Sequence, residues 1–166
     1  ASEEGRHIGP VVNAVQWGKI QDLIQKGIDE GARLVAGGPG RPEGLNRGFY
    51  VRPTVFADVT PDMTIAREEI FGPVLSIMKF DTEEEGLRIA NDTPYGLTNY
   101  VQTQDGARRN RLARQLRSGM VQMNGKSRSA GSPFGGMKQS GNGREGGSWG
   151  IADFLEVKAV SGWAAE

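Results

Sequence analysis

Residues 74–124 read VLSIMKFDTEEEGLRIANDTPYGLTNYVQTQDGARRNRLARQLRSGMVQMN. Val74–Phe80 is a strand candidate, and Asp81 follows as a capping residue for a helix over 82–91, with Glu84 three positions on completing a capping-box-like pair. Asn91-Asp92-Thr93-Pro94-Tyr95-Gly96 stops that helix, because proline disfavours helical geometry in the residue before it. Leu97–Thr103 reads as a second strand. Asp105 caps a second helix over 106–118, with Gly119 at the position where left-handed backbone commonly ends one, and Met120–Asn124 is a third strand. Strand, helix, strand, helix, strand with short links predicts an α/β fold built on a parallel βαβ core.

Working outward, a helix is expected after Pro10, because Val12, Val15, Ile20, Leu23, Ile24 and Ile28 recur at three- and four-residue spacings while Lys19, Asp22, Gln25, Lys26 and Asp29 fill the other face. Gly31 stops it and Leu34–Ala36 reads as a short strand. Residues 37–48 form a turn-rich loop, and Phe49–Ala57 reads as a strand that Pro53 interrupts or confines to an edge. A helical turn is expected around Ala66–Ile70. In the other direction, residues 125–150 hold nine glycines in 26 positions. A short helix over Gly150–Leu155 and a final strand over Glu156–Ser161 complete the reading. We divide the chain into a main domain, 1–155, and a C-terminal strand and tail, 156–166.

Composition narrows the function. The 166 residues carry 20 Lys plus Arg, 20 Asp plus Glu and no cysteine. Zero net charge gives no global pull toward nucleic acid or acidic membrane. The absence of cysteine excludes a disulfide scaffold, a thiolate metal site and a thiol nucleophile within this sequence. No stretch of about 18 apolar residues offers a membrane span, no secretory signal is read at the start, and a cytoplasmic location is expected. Glycine, at 25 residues, loses the most backbone entropy on folding and brings no side chain to a core. So much of it implies tight backbone geometry around something, or a piece that leans on neighbouring chain.

Individual motifs weigh less. Gly141-Asn142-Gly143-Arg144-Glu145-Gly146 matches G-x-G-x-x-G, but a dinucleotide site needs that pattern directly after a strand, and Gly135–Ser140 is no strand. The arginines 108, 109, 111, 114 and 117 read as a solvated face that also suits the helix dipole. His7, the only histidine, has no partner at metal-ligand spacing. Serines 127, 129, 132 and 140 lie far from it, and no G-x-S-x-G occurs, so a hydrolase triad has little support.

Several segments taken together resemble the NAD(P)-dependent aldehyde dehydrogenase superfamily. Glu68-Glu69-Ile70-Phe71-Gly72-Pro73-Val74 is similar to its E-E-x-F-G-P-V segment, and Asn91–Leu97 to its A-N-x-x-x-Y-G-L stretch. Pro133-Phe134-Gly135-Gly136 through Glu145 is similar to its P-F-G-G-x-K-x-S-G-x-G-R-E loop, and Glu156-Val157-Lys158 to its E-x-K strand. Each motif is short; their order and spacing make the combination specific, and the resemblance covers nearly the whole chain.

The resemblance implies roles. Glu69 would accept hydrogen bonds from the nicotinamide ribose of NAD or NADP, and Phe71 would pack beside it; as bare residues they read as a helix-end acid and a core phenylalanine. Phe134 would belong to the aldehyde tunnel. Glu145 would relay protons from the general base, and Arg144 and Glu156 would sit in an intersubunit charge network. Arg128 lies in the stretch that varies with substrate, where a guanidinium either favours a polar or anionic aldehyde or points to solvent. The family's nucleophilic cysteine, general-base glutamate and cofactor domain precede the segments matched here. The expectation is therefore the C-terminal third of such an enzyme, inactive alone, binding no cofactor by itself, and either a homo-oligomer, domain-swapped through the final strand, or a partner of the missing part. The alternative is a stand-alone, non-catalytic oligomeric module that keeps the fold.

Overall fold

The computed structural model describes residues 8–164, so His7 lies outside the described residues. In chain order the elements are α1 (Ala14–Asp29), β1 (Arg33–Ala36), β2 (Thr54–Ala57), α2 (Thr64–Arg67), β3 (Val74–Ser76), α3 (Glu83–Asn91), β4 (Thr98–Val101), α4 (Gly106–Gln115), β5 (Met120–Met123) and α5 (Gly147–Ala152). Packing divides the chain into two compact units, the first ending at Gly86 and the second starting at Leu87. The mixed α/β class and the parallel pairing are as expected.

In the first unit, β2 pairs antiparallel with β1 and parallel with β3. The core gathers Ile20 and Ile24 of α1 with Val51, Phe56, Val59, Ile65 and Ile70. Gly27 brings α1 against this core, since a Cβ there would lie 2.9 Å from Ile65 Cδ1. Val12 and Val15, expected on the buried face, are 81% and 82% exposed. The helix starts only after its cap, Asn13, whose side chain accepts from Gln16 N, so Val12 precedes it. Val15 stands about 180° around the axis from Ile24, at 3.6 residues per turn. The strand expected over Phe49–Ala57 shrinks to Thr54–Ala57, because earlier backbone groups bond elsewhere: Phe49 O accepts from Val11 N, and Arg52 N donates to Gly40 O. β3 ends at Ser76 rather than Phe80, although Ile77 N still donates to Phe56 O.

Asp58 closes β2 with a left-handed φ of 55°. Its carboxylate takes Arg33 Nε at 2.6 Å and Lys79 Nζ at 2.8 Å. Hydrogen bonds from Lys79 and then Arg33 lower its pKa from 3.8 to about 2. A depressed carboxylate stabilises the fold above its unfolded-state pKa and loses that contribution as pH falls through its folded value. Denaturation midpoints should therefore drop between pH 4 and pH 2, and Asp58→Asn should remove that part of the acid limb. An unchanged acid profile in the variant would refute the linkage.

The second unit contains the crossover β4–α4–β5, with the two strands parallel and in register from Thr98↔Met120 to Val101↔Met123. The sequence placed β3 first in this parallel series, but β3 takes its partner from β2. The box that opens α3 sits one residue later than expected: Thr82 Oγ1 accepts from Glu85 N, and Glu85 Oε2 accepts from Asp81 N. Asp105 caps α4 as anticipated, accepting from Ala107 N and Arg108 N.

The end of α4 differs from expectation. The helix stops at Gln115, and Leu116 turns extended with its side chain buried. Asn91 makes this possible: its Nδ2 donates to Gln115 O and its Oδ1 accepts from Arg117 N. That one amide meets the last carbonyl of the helix and the N–H just beyond Leu116, so the chain leaves the helix here without a left-handed glycine. Gly119 instead allows close approach, since a Cβ there would lie 1.7 Å from Gly135 O. Residues 156–161 carry no strand pairing among the described residues, and Val157 is 99% exposed. A lone extended segment has no neighbour to complete its backbone bonds.

Candidate functional site

In the first unit the segment Glu69-Ile70-Phe71-Gly72 lies across α1. Ile70 is buried and anchors it. Gln16 Nε2 donates to Ile70 O and to Phe71 O, each at 3.0 Å, and Lys19 Nζ donates to Glu69 O at 2.9 Å. Gly72 lets the backbone lie on Ile20, whose Cδ1 would stand 2.5 Å from an added Cβ. Pro73 O then accepts from Thr54 N, which leads the chain into β3. Thus three consecutive carbonyls are held by two side chains one helical turn apart. Held this way, Phe71 adopts a φ of 55° and leaves its ring 72% exposed. A bulky non-glycine residue at positive φ is uncommon and costs on the order of 1–3 kcal/mol, a strain that clusters at functional sites. Glu69 is exposed beside it, and its carboxylate makes no hydrogen bond among the described residues. The outcome is a rigid backbone that presents an open carboxylate and an open aromatic ring.

In the second unit the glycine-dense segment is stitched onto the β4–β5 framework. Lys138 Nζ donates to Asn91 O and Thr93 O at 2.8 and 3.0 Å. Ser140 Oγ accepts from Gly96 N at 3.0 Å, and Gln139 N donates to Pro94 O. Phe134 and Glu145 exchange both backbone bonds, at 2.8 and 2.7 Å, as an antiparallel bridge. Arg144 turns inward, with Nη1 donating to Gly136 O at 2.7 Å and Gly143 O at 2.8 Å. The loop is therefore tied from inside by its own guanidinium. Arg128 donates to Ser132 O and places its guanidinium 5.8 Å from the centre of the Phe134 ring. Beside the bridge runs a groove of about 450 Å³ lined by Arg144, Glu145, Gly146, Gly147, Ile151 and Phe154. The G-x-G-x-x-G stretch follows a 3-10 turn over Lys138–Ser140 and not a strand.

A profile of the aldehyde dehydrogenase family matches residues 1–160. The chain belongs to the aldehyde dehydrogenase family. Among solved structures, an aldehyde dehydrogenase from Bartonella henselae is 63% identical, with a TM-score of 0.94 over 97% of this chain and 34% of that one. A Mycobacterium tuberculosis aldehyde dehydrogenase complexed with NAD+ is 48% identical, with a TM-score of 0.91 over 99% of this chain and 34% of that one. Aldehyde dehydrogenase C of Pseudomonas syringae, a mutant complexed with NAD+ and octanal, is 51% identical over 95% of this chain and 33% of that one, with a TM-score of 0.91. A Staphylococcus saprophyticus protein named for the same activity is 49% identical over 97% of this chain. The chain spans about a third of the length of these relatives.

Against this family frame, the sequence-selected residues fall into three groups. Glu69 and Phe71 stand together in the first unit. Phe134, Glu145, Arg144 and Arg128 stand together on one loop system of the second. Glu156 is exposed on the tail and forms no ion pair with Arg144 among the described residues; the Arg144 guanidinium is engaged with backbone carbonyls. Gln16 carries no sequence signal, Lys19 reads as a solvent-face residue, and Asn91, Lys138 and Ser140 stand within motifs without a role for their side chains. Lys138 and Ser140 belong to the P-F-G-G-type loop, and their side chains fasten it to the Asn91–Leu97 stretch. Nothing in the sequence marks Gln16 as the clamp on a segment 54 residues away. Among the described residues, no three His, Cys, Asp or Glu side chains converge to hold a metal ion, and no helix is long and apolar enough to cross a membrane.

Proposed function

We propose that this chain forms part of an enzyme that oxidises an aldehyde to a carboxylic acid with NAD or NADP, and that its Glu69–Phe71 segment holds the nicotinamide ribose. The observation that carries this is the pinned segment itself. An ionised carboxylate accepts from two vicinal hydroxyls, and Glu69 presents one with no competing partner among the described residues. Phe71 offers an open apolar ring beside it. The cofactor, when bound, supplies the hydride acceptor. The role of this chain is to fix ribose position and exclude water.

The loop residues complete the reading. Phe134 lines the aldehyde path, and Arg128, stacked above its ring, favours aldehydes carrying a polar or anionic group. Glu145, exposed in its groove, passes protons toward solvent. Arg144 sets the height of Glu145 by tying the loop. With no cysteine in the sequence, the chain supplies no thiolate for covalent attack on an aldehyde, so it should yield no NADH alone. Phe154, Leu155, Val157, Val160 and Trp163 leave an apolar tail open, which supports a homo-oligomer or docking of a further part of the enzyme; large open apolar patches drive association. Cytoplasmic residence belongs to the same proposal, and fractionation of cells expressing the complete protein checks it.

The test grafts this chain in place of the matching third of the Bartonella henselae enzyme. The hybrid should reduce NAD+ with an aldehyde, and light scattering should show more than one copy per particle. Glu69→Gln in the hybrid should raise the KM for NAD+ about tenfold with little change in kcat, as expected when a charge-assisted bond of about 1.5–3 kcal/mol is weakened. An unaltered KM would remove Glu69 from the ribose.

A further inference from the structure

The dipeptide Asn-Gly occurs twice, at Asn124-Gly125 and Asn142-Gly143. Asparagine is among the thermolabile residues, and a following glycine leaves its amide nitrogen least shielded. The two copies share that local chemistry and differ in what the fold does to them.

Asn124 is clamped. Its Oδ1 accepts from Thr103 N at 2.8 Å, and its Nδ2 donates to Thr103 O at 3.0 Å. Both ends of the side-chain amide are held against one backbone residue, beside the parallel pair β4–β5. Asn142 is free of such bonds. It is exposed, no hydrogen bond of its side chain is formed among the described residues, and glycines flank it at 141 and 143. Gly143 is equally open: a Cβ there would meet only Asp153 Oδ2, at 3.8 Å. No backbone bond engages the Gly143 N–H among the described residues.

We propose that Asn142 is a site of spontaneous deamidation and that Asn124 is protected by its clamp. The Gly143 nitrogen gives up its proton and attacks Asn142 Cγ. The bond from Cγ to the side-chain nitrogen breaks, and ammonia leaves with that proton. The resulting succinimide is opened by water at either carbonyl, giving aspartate or isoaspartate. The first product places a new negative charge beside Arg144, whose Nη1 stands 3.5 Å from Asn142 O. The second adds a methylene to the main chain three residues before Glu145, whose N and O hold the bridge to Phe134. Either product works on the tie that sets the loop. Neither the open amide of Asn142 nor the clamp on Asn124 depends on the enzymatic reading above.

Incubating the folded chain at mildly alkaline pH and digesting it with trypsin separates the sites, because cleavage after Arg117, Lys126, Lys138 and Arg144 puts them on different peptides. Mass spectrometry should show Asn142 converting at least about tenfold faster than Asn124, a ratio equivalent to about 1.4 kcal/mol in barrier. In concentrated urea the two should convert at similar rates. Gly143→Ala should slow conversion at 142 and leave 124 unchanged. Equal rates in the folded chain, faster conversion at Asn124, or conversion at neither site would each overturn the proposal.

Discussion

Phe56→Ala should destabilise the first unit by about 3–5 kcal/mol, the cost of deleting a large buried aromatic and leaving a cavity. Phe56 is fully buried on β2, the central strand of its sheet. Its ring also reaches α1, since its Cζ would lie 3.2 Å from a Cβ at Gly27. The void would therefore open between the strand and the helix that carries Gln16 and Lys19. Urea titration should show the midpoint falling sharply, and the Phe71 segment should lose rigidity with it. A loss under about 1 kcal/mol would mean that the site collapses freely around the gap, contrary to close packing.

Gly119→Ala should cost the second unit about 3 kcal/mol, at the upper end of overpacking effects. The added methyl would meet Gly135 O at 1.7 Å, an atom of backbone and not the end of a flexible side chain. Gly119 N and Met137 N both donate to Gly96 O at 2.9 Å. Pushing Gly135 away therefore breaks the junction where the P-F-G-G loop meets the start of β5. Hydrogen exchange should show both amides losing protection together. Gly18→Ala makes a sharp contrast, because nothing stands within 4 Å of a Cβ at that helical position. There the same change should stabilise by about 0.5–1 kcal/mol. If both substitutions move stability equally, close approach at Gly119 is not what that glycine provides.

Periodicity and caps place most elements in the chain, and they fail where a distant side chain, the helical angle or a missing strand partner decides the outcome. α4 stops early because Asn91 satisfies its last turn, and sequence spacing carries no record of a partner 24 residues back. Spacing groups Val15 with Ile24, yet helical geometry puts them on opposite sides. The segment 156–161 alternates like a strand and finds no strand partner among the described residues.

The family, the α/β class, the crossover β4–α4–β5 and the candidate residues Glu69, Phe71, Phe134 and Glu145 are properties of the sequence, because they depend on residue type and short spacing, which local chemistry dictates. How those residues are presented is a tertiary matter. The clamp of Gln16 and Lys19 on the Glu69–Phe71 carbonyls, the inward turn of Arg144 and the hold of Thr103 on Asn124, which the second Asn-Gly pair lacks, arise from contacts that sequence spacing does not mark. Such contacts exist only once the backbone has brought unsatisfied donors and acceptors within reach, so folding alone selects them.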